Sequence, residues 1–186
     1  MLNRVIRWTE HGLEYEADPR QVEQLVRDLG LVGAKPLGTA GCKPTAEQLA
    51  NDSKLAADKT TPFRAVGARA NYLAADRPEI QYASKELCRW MSDPTELSLG
   101  ALKRLGRYLE GKRRLVYHYP WQSADRVEAY SDTDWAGCPR TRKSTSGGCL
   151  MLGRHLIKSW STTQGLVSLS SGEAEYYGVV KAAGTG

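Results

Sequence analysis

Three strand-like segments followed by one helix, all after residue 126, constrain this chain more than any other feature. Val127–Asp132, Gly147–Leu152 and His155–Ser161 have strand length and strand-like composition, and Gly-rich or polar stretches separate them. Glu173–Ala183 then reads as a helix. That order predicts three antiparallel strands with a helix laid across one face.

The preceding residues read differently. Residues 4–16 alternate about His11-Gly12 as a hairpin would, with Val5, Ile6 and Trp8 on one arm and Leu13 and Tyr15 on the other. A helix should follow over 19–29: Asp18 can cap it, Pro19 suits its first position, Gln21 stands where a capping-box partner would, and Gly30 ends it. From Lys35 to about Thr61 glycine, proline, threonine, lysine and alanine dominate without period, which predicts a long connection or flexible arm. Helices are expected near 63–75, 79–91 and 95–110, punctuated by Pro78 and Pro94. The last should turn Leu102, Leu105, Tyr108 and Leu109 inward. Leu115–Tyr119 resembles a strand, and Pro120–Asp125 a linker. The fold class expected is α+β, a helical lobe over 1–120 followed by a β-β-β-α unit over 121–186.

A chain of 186 residues with 41% hydrophobic content can build a modest core without disulfides. Cys42, Cys88, Cys138 and Cys149 form no C-x-x-C pair, and His11, His118 and His155 add no zinc-ligand spacing. They are expected to be reduced thiols in an intracellular protein. No apolar run approaches the roughly 18 residues of a membrane span, and no signal-peptide core opens the chain. Lysine and arginine number 26 against 21 acidic residues, a net charge of +5 that mildly favours a polyanionic partner.

Carboxylates are concentrated at two places in the second unit: Asp132 and Asp134 at the end of the first strand, Glu173 and Glu175 at the start of the helix. Hydrolysis of a phosphodiester by two divalent ions about 4 Å apart needs several carboxylates converging on one spot, and Mg²⁺ takes oxygen ligands. On a helix, residues two apart differ by about 200°, so Glu173 and Glu175 cannot both face the strands. On a strand, Asp132 and Asp134 share a face, and spacing leaves that choice open.

Three blocks, Tyr130-Ser131-Asp132-Thr133-Asp134-Trp135-Ala136-Gly137, Arg142-Lys143-Ser144-Thr145-Ser146-Gly147 and Ser170-Ser171-Gly172-Glu173-Ala174-Glu175-Tyr176, resemble the ribonuclease H domain of copia-type retrotransposon polyproteins. Upstream, Tyr72-Leu73-Ala74-Ala75-Asp76-Arg77-Pro78-Glu79-Ile80, Pro94-Thr95 and Arg107-Tyr108-Leu109-Glu110-Gly111 are similar to the thumb and connection segment between polymerase and ribonuclease H. Ser98-Leu99 departs from that pattern, which tends to have a His-Trp pair there, and no Y-x-D-D polymerase motif is present. The resemblance implies a ribonuclease H-like unit truncated at its C-terminus, without the third and fourth acidic ligands. It implies Asp132 and Glu175 as catalytic, metal-ligating carboxylates for Mg²⁺, with Mn²⁺ as a substitute, and an RNA–DNA hybrid as substrate. It places Glu173 in the first helical turn. A cytoplasmic virus-like particle or the nucleus would be the setting, with no membrane association.

The basic residues divide into two groups. Lys103, Arg104 and Arg107, continuing into Lys112, Arg113 and Arg114, line one helix and its exit; Arg142, Lys143 and Ser144 lie between the first two strands. Each group suits contact with a nucleic-acid backbone, and each equally suits a solvated helix face or hairpin turn. Two other readings remain beside the nuclease: a non-catalytic nucleic-acid-binding remnant of a degenerate transposon, and a scaffold that retains only the helical lobe.

Overall fold

Strands β1 (Val5–Thr9) and β2 (Gly12–Glu16) flank a turn at Glu10-His11, and β3 (Val116–Pro120) joins them in the order β1-β2-β3. The computed structural model describes residues 3–185. The chain divides into two units, Met1–Trp8 with Glu14–Tyr117 and Thr9–Leu13 with His118–Gly186. The hairpin turn therefore groups with the second unit, a discontinuity that a boundary at residue 120 does not contain.

In the first unit, α1 (Pro19–Asp28) begins where expected. Asp18 accepts from the Arg20 N–H at 3.1 Å, while the Gln21 amide reaches the Asp18 side chain at 3.4 Å instead of closing a capping box on its backbone. Gly30, at φ +65°, closes the helix in the left-handed region that a side chain would disfavour, and the Leu31 N–H returns to the Val26 carbonyl at 2.9 Å. Val22, Leu25 and Val26 are buried.

The 35–61 stretch departs from the expected flexible arm. It contains α2 (Ala46–Ala50), held by a complete capping box between Thr45 and Gln48. Ala40 and Leu55 are buried in the core, and the Leu55 N–H donates to the Pro94 carbonyl at 2.9 Å. Helix α3 (Ala57–Ala74) starts well before residue 63, with Pro62 inside it. A proline in the second turn forfeits one intrahelical bond, and the helix accommodates it because Phe63, Val66, Ala70 and Leu73 pack into the core. A 3₁₀ turn (Pro78–Ile80) leads into α4 (Gln81–Cys88), and α5 (Glu96–Gly111) follows. Ser98 is the capping-box partner of Thr95 and is buried, which gives the departure at Ser98-Leu99 a local role. Leu102, Leu105, Tyr108 and Leu109 are buried as expected.

Guanidinium groups fasten this unit. Arg77, 1% exposed, pairs with Glu79 at 2.5 Å and donates to the Lys112 carbonyl at the end of α5 at 2.9 Å. Arg114 grips the buried Glu16 carboxylate through two bonds of 2.6 and 2.7 Å.

The second unit holds β4 (Val127–Asp134), β5 (Thr145–Leu152), β6 (His155–Thr163) and α6 (Ser171–Ala183). The strands pair antiparallel in the order β4-β5-β6, with Asp132 opposite Gly147 and Gly148 opposite Trp160. Each strand is two residues longer than expected, β4 and β6 at their ends and β5 at its start, because the polar residues there continue the ladder. Helix α6 rests on the sheet through Ala174, Gly178 and Ala182, all buried. A Cβ on Gly178 would stand 2.6 Å from Thr133 Oγ1, so the helix backbone itself touches the strand. Leu150, Trp160 and Ala182 form the small apolar cluster beneath it.

The Arg114 guanidinium is the main cause holding the Glu16 carboxyl below its ordinary value of 4.5. Its ionised form is therefore favoured by folding, and the stability it contributes is present above that value and lost as pH falls through the lower folded one. Glu16→Gln is expected to cost about 1–2 kcal/mol at pH 7, given that Arg114 is well exposed. Thermal unfolding followed from pH 7 to 3 should show the variant's deficit shrinking below about pH 4.5.

Candidate acidic site

Strand alternation sorts the four candidate carboxylates. Thr133 points toward Gly178 and the helix, so Asp132 and Asp134 turn to the opposite face of the sheet, with Glu128 and Tyr130. Asp132 is exposed there. The Asp134 carboxylate instead lies against Gly137, packed so closely that any side chain at that glycine would collide with it. The Asp134 backbone thus ends β4 while its side chain packs on the turn that follows, where Ala136 adopts φ +51° and its N–H donates to Ser144 Oγ at 3.0 Å. Packing distinguishes the two aspartates that spacing could not.

The helix separates its glutamates equally clearly. The Ser170 side chain caps α6 by accepting from the Glu173 N–H at 3.1 Å, and Glu173 Oε2 accepts from the Leu169 N–H at 2.7 Å. The Tyr177 hydroxyl also donates to Glu173 at 3.3 Å. Glu173 is thereby committed to the helix start, where the dipole favours an anion. Glu175 is exposed on the flank of α6, about 60° round the helix from Gly178. Asp132 and Glu175 are thus both exposed, on the strand and the helix that meet at Thr133 and Gly178. The outer edge of β4 pairs with no other strand among the described residues.

Among the described residues no group of three or more His, Cys, Asp or Glu side chains is placed to hold a metal ion. Mg²⁺ demands near-octahedral oxygen coordination, which two carboxylates alone do not complete.

The basic candidates are largely occupied. Ser144 is fully buried and accepts from the Ala136 N–H, so its proposed contact with a nucleic-acid backbone is corrected to a structural role. Lys143 Nζ donates to the Gly165 carbonyl at 2.6 Å, while Arg142 is exposed at φ +55°. On α5, Arg104 donates to Thr39 Oγ1 at 2.6 Å and Arg107 to the Lys35 carbonyl at 2.8 Å, so both staple the 35–39 segment to the helix. Lys103 is exposed. Lys112 lies over the Tyr108 ring, Arg113 pairs with Glu110, and Arg114 with Glu16.

One residue that the sequence reading passed over is Gln164. It is buried directly after β6, and its amide donates to Ser146 Oγ at 2.9 Å and to the Ala174 carbonyl at 2.8 Å. Nothing in its composition or period distinguishes it from a loop glutamine.

Comparison with known proteins supplies the ancestry. An uncharacterized mitochondrial protein of Arabidopsis thaliana is 38% identical over 160 residues, covering 84% of this chain and 64% of that protein. The retrovirus-related Pol polyproteins from transposons RE1 and RE2 of the same plant are 36% and 34% identical, each over 160 residues and 86% of this chain. The chain is similar to one segment of these retrovirus-related Pol polyproteins from transposons. It spans 11% of each of those two polyproteins and 64% of the mitochondrial relative. No protein-family model and no solved structure gives a significant match.

The division of labour between the two aspartates gives a direct test. Asp132→Asn should change stability by less than about 0.5 kcal/mol, as exposed substitutions do. Asp134→Ala, which removes the carboxylate packed in the turn, should cost about 1–2 kcal/mol. Urea unfolding of the two variants side by side measures the difference.

Proposed function

We propose that this Pol segment is the thumb and connection part of a copia-type reverse transcriptase running into the first strands and helix of a ribonuclease H domain. The parent activity is hydrolysis of the RNA strand of an RNA–DNA hybrid. One observation carries the reading. Of the four carboxylates at the strand end and helix start, Asp134 is taken up by a turn and Glu173 by a helix cap, and the two left exposed, Asp132 and Glu175, are those the family motif assigns to catalysis. Pol ancestry and the β-β-β-α order support it. Mg²⁺ or Mn²⁺ would be the cofactor of the parent enzyme, with these two side chains among its oxygen donors.

The test compares a Pol polyprotein that carries this sequence with the 186-residue chain alone, on an RNA–DNA hybrid in Mg²⁺. The polyprotein should cleave, and Asp132→Asn should lower its turnover by 100-fold or more, on the order of an essential catalytic group. The isolated chain should cleave extremely slowly or not at all. Undiminished turnover in the Asn variant would remove Asp132 from the site.

The lack of a three-ligand cluster among the described residues favours a second reading, a non-catalytic nucleic-acid-binding remnant. Lys103 and Arg142 are the cleanest probes of it, because Arg104 and Arg107 also hold the 35–39 segment. For hybrid binding by the isolated chain, Lys103→Ala and Arg142→Ala should each reduce the slope of log K against log salt by roughly 0.9 if each side chain contacts one phosphate. An unchanged slope in both variants returns these side chains to a solvated surface.

A further inference from the structure

The contact between α6 and its sheet is smooth. Ala174, Gly178 and Ala182 offer no side chain long enough to key into the strands, so the contact resists sliding or rotation of the helix only weakly. The position of Glu175 depends on that rotation.

Gln164 is the polar strut across this interface. Its side chain donates both amide hydrogens, one to Ser146 Oγ on β5 at 2.9 Å and one to the Ala174 carbonyl on α6 at 2.8 Å. Its carbonyl oxygen accepts from Ser168 Oγ at 3.0 Å, and its backbone N–H donates to the Ser144 carbonyl at 2.9 Å. The residue is only 9% exposed, and leaving such an amide unpaired would be costly. The helical acceptor is the peptide carbonyl immediately before Glu175.

We infer that Gln164 is a positioning residue that sets the rotation of α6, and through it the placement of the Glu175 carboxylate. This rests on the ribonuclease H reading for the role of Glu175, while the strut itself stands on the geometry alone. A side-chain tip stands roughly 5–6 Å from a helix axis, so a turn of about 20° carries it about 2 Å. A misplacement of about 1 Å at a reacting centre can cost about 100-fold in rate.

Two measurements on Gln164→Leu test this, with Gln164→Met as the substitute should the leucine variant fail to fold. Hydrogen exchange on the 186-residue chain should show the Tyr177 and Gly178 amides losing protection tenfold or more, by order of magnitude, while Leu150 and Trp160 keep theirs. Hybrid cleavage by the Pol polyprotein carrying the same substitution should show kcat lowered roughly 10- to 100-fold with KM unchanged when turnover is expressed per folded molecule, the folded fraction being measured by circular dichroism so that simple loss of folded protein is removed from the comparison. Unaltered exchange in α6 overturns the strut. Loosened exchange with unaltered kcat overturns the positioning role and leaves the ribonuclease H reading intact. If the unsubstituted polyprotein does not cleave, that reading fails, and the assigned role of Gln164 fails with it.

Discussion

The approach of a helix backbone onto a strand, Gly178 against Thr133, is the constraint on which the second unit depends. Three strands and one helix have little apolar material to share, and among the described residues the buried cluster between α6 and the sheet is Leu150, Trp160 and Ala182. Cohesion comes from closeness and from hydrogen bonds that only closeness permits. Gln164 reaches both β5 and α6 because the gap is one amide wide, and the Trp135 indole N–H reaches the Ser168 carbonyl at 3.1 Å to hold the turn after β4 against the same connection. Those restraints are what sort the acidic residues into structural and exposed ones.

The first unit is fastened by different means. Its core is leucine-rich and continuous across α1, α3 and α5, and its borders are closed by arginines. Arg77, Arg104, Arg107 and Arg114 each spend hydrogen bonds on carbonyls, a hydroxyl or a carboxylate of their own chain. The guanidinium suits this because its several donors lie in one plane and can bridge two segments at once. The charge of these arginines stays in place, but the donor hydrogens used within the chain are not offered to a partner.

Much of the fold was legible because its signals are local. Asp18, Pro19 and Gly30 bracket α1, and the change from helical to strand composition after residue 126 marks the second sheet. The failures have a common origin in tertiary contact. The 35–61 stretch reads as loose because glycine and proline dominate it, yet Ala40 and Leu55 are drawn into the core and Thr45 caps a helix of five residues. Ser144 reads as a surface hydroxyl in a basic turn and is buried because a positive-φ turn needs its oxygen. At the acidic site, the sequence motif distinguishes Glu175 from Glu173, whereas Asp132 and Asp134 separate only when the turn at Gly137 is seen in three dimensions.

The Gly178 contact also bears on how copies of such a sequence decay. Substitutions that add bulk at Ala174, Gly178 or Ala182 lift α6 off its sheet. The outward side of the same helix, where Tyr176, Val179 and Val180 are exposed, can vary while the scaffold persists. A copy can thus keep every acidic residue and still lose the scaffold that holds them, and the integrity of this unit is better judged by three small residues on one helical stripe.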